Sequence, residues 1–190
     1  MSITFRTEIV LADVDAHGLT LSGSLEAVDL PQISALVEVA KADAVGATDG
    51  PESQVRVAAD LKLAPARKPK HWQVSGDIRA SIPLVCQRCL ELTAVDVSRP
   101  VDLALVGSDV EDETVAAVSP DSERWDHDSE ILVLADLIDE WILLELPMVV
   151  AHERVEQCGE LARRLDRPAT QTDTQTPFAD LAGLMAGKTQ

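Results

Sequence analysis

The chain has 190 residues, 46% of them apolar, which is enough for one domain with a proper core or one domain with a tail. With three Trp, two Phe and no Tyr, that core has to be built mainly from Val, Leu, Ile and Ala. A net charge of −17, from 33 acidic and 16 basic residues, argues against a general nucleic-acid binder; it suits a basic protein partner, and equally a charge that simply keeps the protein soluble.

Taken in chain order, residues 3–10 and 19–26 alternate. Ile3, Phe5 and Ile9 share one side, and Leu19, Leu21 and Leu25 share a side of the next segment. The turn signal Asp15-Ala16-His17-Gly18 between them suggests that these two strands pair. Pro31 opens a helical stretch to about Ala42, with Ile33, Leu36, Val39 and Ala40 at helical spacing. Residues 43–53 read as a loop.

The middle of the chain predicts three successive strands. Val55, Val57, Ala59, Leu61 and Leu63 alternate with polar residues, and so do Trp72, Val74, Ile78, Ala80, Ile82, Leu84 and Cys86. Gly76 and Pro83 are candidates for a bend or bulge in the second strand. Val95, Val97, Val101, Leu103 and Leu105 follow in one phase, and Pro100 argues for an edge there. Locally joined strands of this kind make an antiparallel meander.

Residues 107–130 are expected to form an acidic connector without regular structure; over 108–145 there are 13 acids and one base, Arg124. A helix is predicted over 134–146. Leu134, Leu137, Ile138, Trp141, Ile142 and Leu144 form its stripe, Asp136, Asp139 and Glu140 lie off it on an expected solvated face, and Pro147 ends it. From Gly159 on polar residues dominate, so 159–190 is expected to be a mostly flexible tail carrying a short apolar motif at 177–184. The fold expected is α+β: a single domain over 1–158 with an antiparallel sheet, open or barrel-like. One principal helix and a shorter N-terminal helix pack on that sheet.

Chemistry concentrates at Cys86-Gln87-Arg88-Cys89, at the turn between the second and third meander strands. Two thiols three residues apart can reach one ion, and His152 and Cys158 follow the helix, so a Cys3His zinc set is one reading. A second is that Cys86 is a buried residue of the apolar face, Cys89 a partly exposed turn thiol and Cys158 unrelated to them. A third is thiol redox chemistry, disfavoured because such pairs usually start a helix, whereas these join strands. Three cysteines make a disulfide framework a poor fit, and with no signal-like N-terminus the expected location is a reducing cytoplasm. A basic stretch around Arg67, Lys68 and Lys70, together with Arg88, supplies candidate phosphate contacts; a solvated hairpin tip is the plainer reading of the first three. No nucleotide-binding loop, zinc-protease motif or nucleophile elbow is present.

The run Ile82-Pro83-Leu84-Val85-Cys86-Gln87-Arg88-Cys89-Leu90 resembles the signature of the bacterial YceD family, the large-subunit ribosomal RNA accumulation proteins. Asp136 to Pro147, followed by His152 and Cys158, resembles that family's second block, and Pro177-Phe178-Ala179-Asp180-Leu181-Ala182-Gly183-Leu184 is similar to its ending. The three blocks agree in order and spacing over about residues 54–184. The resemblance implies a role in synthesis, processing or stability of 23S ribosomal RNA and in large-subunit assembly, without an established catalytic residue. The expected partners are a basic ribosomal protein or assembly factor and, directly or indirectly, ribosomal RNA, with no membrane. Pro177, Phe178, Leu181 and Leu184 are the candidate docking residues. Some relatives carry further cysteines after the helix, where this chain has Cys158.

Overall fold

The computed structural model describes residues 4–46, 53–66, 71–108 and 121–159. The meander forms as its alternation dictates. Strands β2 (Leu19–Leu25), β3 (Arg56–Pro65), β4 (Trp72–Val85) and β5 (Leu92–Val106) pair in that order, each antiparallel to the next. The inward positions Leu61, Leu63, Val74, Ile78, Ile82 and Leu103 are fully buried, each removing its side chain from water at a gain of about 1.5–3 kcal/mol.

Two pairings differ from the sequence expectation. The first strand, β1 (Ile9–Val10), does not pair with β2; it forms a two-stranded sheet with β7 (Ile131–Leu132). The turn expected at 15–18 does form, with Gly18 N–H donating to the Asp15 carbonyl at 3.0 Å, but it feeds β2 onto β3 instead. The acidic connector also contains strand β6 (Glu123–Asp126), which adds to β5 in parallel. A parallel neighbour needs a long crossover, and residues 107–122 supply it. The five-stranded sheet is therefore mixed, and it is open rather than a closed barrel. Trp125 of β6 is half-buried against the core.

No bulge interrupts β4, because its one-to-one register with both neighbours passes straight through Gly76, and its register with β5 through Pro83. Gly76 is needed for a different reason. Its φ is +148°, and a Cβ there would run into the Asp60 carbonyl of β3. Pro83 lies beyond the last residue paired to β3, and Pro100 lies where β5 has only β4 beside it among the described residues. Both prolines thus sit where a missing N–H costs no ladder bond on a second side.

Helix α1 (Pro31–Asp43) lies against β4, and helix α2 (Leu134–Glu145) packs on α1. At 13 and 12 residues they are nearly equal, so the N-terminal helix is not the shorter one. Helix α2 stops one residue early because Leu146 precedes Pro147 and is extended, at ψ 138°. The buried face of α1 is Ile33, Val37 and Ala40; Val39 is exposed, one position off the expected stripe. Leu134, Leu137, Ile138, Trp141 and Ile142 of α2 are buried in the same cluster as Ile82 and Ile78, whereas Leu144 is 74% exposed. Among the described residues no helix is long and apolar enough to cross a membrane.

Candidate metal centre

The thiol turn joins β4 to β5. Cys86 N–H donates to the Glu91 carbonyl at 2.9 Å, and Leu90 N–H to the Cys86 carbonyl at 2.8 Å. Closing so tight a turn puts Leu90 in the left-handed region, at φ 61°. That conformation costs a non-glycine residue roughly 1–2 kcal/mol. In return Cys86 and Cys89 face the same space.

The other half of the site comes from the segment after α2. Pro147 redirects the chain, and the Val150 carbonyl accepts a hydrogen bond from Gln87 N–H at 2.9 Å, which lays the segment along the turn. The Arg88 guanidinium donates to the His152 carbonyl at 3.0 Å. A short 3-10 turn, Val155–Gln157, then brings Cys158 back.

The result is one Cys3His group. Cys86 and Cys158 Sγ atoms lie 4.0 Å apart, and His152 Nδ1 is 3.5 Å from both Cys89 Sγ and Cys158 Sγ. One ligand atom from each of the four residues falls within 4.8 Å of all the others, close enough to hold one metal ion. The three cysteines are free thiols, 0%, 5% and 1% exposed for Cys86, Cys89 and Cys158, and the histidine is half-buried. Burial pushes the Cys86 thiol up, but backbone N–H groups of His152, Arg88 and Cys89, with the His152 ring, outweigh it and hold it at about 6. Burial also pushes Cys158 up, and hydrogen bonding with the Cys89 and Cys86 thiols adds to it, so that this thiol is raised to about 11.

The structure thus brings together all four residues of the expected metal set. Of the phosphate candidates, Arg67, Lys68 and Lys70 lie outside the described residues, and Arg88 is in the turn that follows β4. Pro177, Phe178, Leu181 and Leu184 also lie outside the described residues.

One residue read as solvated is not. Asp139 is 1% exposed, and its two carboxylate oxygens accept the backbone N–H groups of Gln32 at 2.8 Å and Ile33 at 3.0 Å. Asp136 and Glu140 are exposed as expected. A signal for Asp139 was present in the chain: Leu30 precedes Pro31 and carries no oxygen with which to cap α1, so an acceptor had to come from elsewhere.

No curated protein and no solved structure matches the chain. A family model does match, over residues 74–185, a span that takes in all but the first two residues of β4, the thiol turn, β5, α2 and all four members of the Cys3His group. The chain belongs to the family of the large ribosomal RNA subunit accumulation protein YceD.

Proposed function

We propose that this protein is a non-enzymatic ribosome-biogenesis factor of the cytoplasm that supports synthesis, processing or stability of 23S ribosomal RNA and so large-subunit assembly. The family match over residues 74–185 carries the reading. The charge of the chain supports a division of labour. A chain with 33 acids against 16 bases recruits a basic ribosomal protein or assembly factor, and repels bulk RNA. Any direct RNA contact falls to Arg67, Lys68 and Lys70, or to Arg88. In this reading residues 1–158 are one domain, and the tail from 159 presents Pro177, Phe178, Leu181 and Leu184 to a partner.

Gradient sedimentation of lysate tests this. The protein is expected to travel in part with large-subunit precursors, and its depletion to lower 23S RNA and 50S particles. A protein found wholly among free proteins, with 23S RNA unchanged on depletion, ends the reading.

A second reading is favoured by the convergence of Cys86, Cys89, His152 and Cys158 from two distant segments. It makes the protein a zinc- or thiol-dependent binding or sensing module. Loss of partner capture on chelation supports it; capture indifferent to both chelator and oxidant counts against it.

A further inference from the structure

We infer that Cys86, Cys89, Cys158 and His152 Nδ1 form a closed tetrahedral site for one zinc ion, and that this ion fastens residues 151–159 to the β4–β5 turn. The inference deepens the metal half of the second reading and stands apart from the ribosomal one. It turns that half from sensing to structure.

The spacing is the first argument. With Zn–S of about 2.3 Å and Zn–N of about 2.0–2.1 Å at tetrahedral angles, ligand atoms stand ~3.8 Å apart for S and S and ~3.6 Å for S and N. The site has 4.0 Å between Cys86 and Cys158, and 3.5 Å twice between sulfur and His152 Nδ1. All four ligand atoms, from two segments, lie within 4.8 Å of one another.

Donor chemistry is the second. Three thiolates and an imidazole suit a borderline-soft cation and not magnesium or calcium, which take oxygen ligands. Three thiolates around a divalent ion leave one net negative charge. Backbone N–H groups of His152, Arg88 and Cys89 are already directed at Cys86 to offset it, and the Arg88 guanidinium sits against the His152 carbonyl.

Closure is the third. All four positions are filled by protein, and the three sulfurs are buried, which leaves no coordination place for water or substrate. That is the form of a structural site and not a catalytic one.

Topology assigns the role. Cys86 and Cys89 belong to the sheet, whereas His152 and Cys158 flank the exposed Arg154 on a segment with little regular structure. An ion bound to both halves ties that segment down.

The test uses the full chain, purified under reductant without chelator. Metal analysis is expected to find about one zinc per chain, falling to below about a tenth in His152→Ala and in Cys158→Ser. Cobalt added to stripped wild-type protein is expected to give the d–d bands of a tetrahedral thiolate complex. Trypsin cleavage after Arg154 is expected to quicken at least roughly tenfold on stripping and to slow again when zinc is restored. Stripped wild-type protein gives a result even if the variants fail to fold. Reduced protein that takes up cobalt only octahedrally, a Cys86–Cys158 disulfide in place of zinc, or cleavage at Arg154 indifferent to zinc overturns the inference. Zinc present without any effect of depletion on 23S RNA sinks the ribosomal role and leaves the site; the converse result sinks the site and leaves the role.

Discussion

Asp139 of α2 accepts a hydrogen bond from the backbone N–H of Ile33, 106 residues earlier in the chain, at 3.0 Å. Its other oxygen takes Gln32 N–H, Pro31 has no N–H to satisfy, and Ser34 N–H reaches the Leu30 carbonyl at 2.8 Å. One carboxylate from the neighbouring helix thus completes the first turn of α1, and its negative charge faces the positive end of that helix. Asp139→Ala is expected to cost roughly 1–3 kcal/mol, since it strands one buried donor and one part-buried donor, while Glu140→Ala, one position along, stays within about 0.5 kcal/mol. Urea unfolding of both variants measures this. Equal midpoints for the two would show that the cap contributes little.

Gly76 is the position where β3 and β4 leave no space for a side chain. Gly76→Ala is expected to destabilise by roughly 2–4 kcal/mol through its positive φ and collision with the Asp60 carbonyl. Gly23→Ala is the control: a Cβ there meets only the Phe5 ring, at an ordinary 3.5 Å. Thermal unfolding that ranks the two alike would contradict the account of β4.

Leu90 holds a left-handed conformation while 46% exposed, so its side chain recovers little of what its backbone loses. Leu90→Gly is expected to leave the protein as stable or to stabilise it by up to about 1 kcal/mol, with zinc content unchanged. A loss above about 1 kcal/mol in chemical denaturation would show that the Leu90 side chain holds the turn by packing instead.

In reduced protein stripped of metal, stability should depend on pH through the thiols. Cys86, ordinarily at 9.0, sits at about 6 in the folded chain, so between these values the unfolded chain binds a proton that the folded one does not. Stability therefore rises with pH across that window and is lost as pH falls through about 6. Above 9 the sign reverses, because Cys158 is raised to about 11 and the folded chain then holds the extra proton. Urea midpoints of the wild type are expected to climb between pH about 6 and 9, and those of Cys86→Ser to stay level. A flat wild-type profile would remove the thiolate from the account.

What could be read without coordinates was local. The alternation from Val55 to Leu105 made β3, β4 and β5, because a strand buried on one face must repeat every second residue. The 3.6-residue stripe through Leu134, Ile138 and Trp141 made α2, and Pro31 and Pro147 marked helix boundaries where an N–H is either unneeded or forbidden. The spacing of Cys86 and Cys89 placed two thiols in one turn, and the order of the blocks pointed to the family that the match over 74–185 bears out. What the fold alone decided was who meets whom. Ile9 pairs with Leu132 and not with β2, since a two-residue strand has no register of its own and takes the edge it is carried to. Strand β6, with Trp125 its one apolar side chain, has no alternation to reveal it and is held by the backbone of β5. Asp139 differs from Glu140 by one step around a helix, and only the crossing of α2 over α1 buries the first while wetting the second. His152 and Cys158 became partners of the thiol turn the same way, because side-chain chemistry names the ligands a site needs, whereas the path of the chain between them sets whether they arrive.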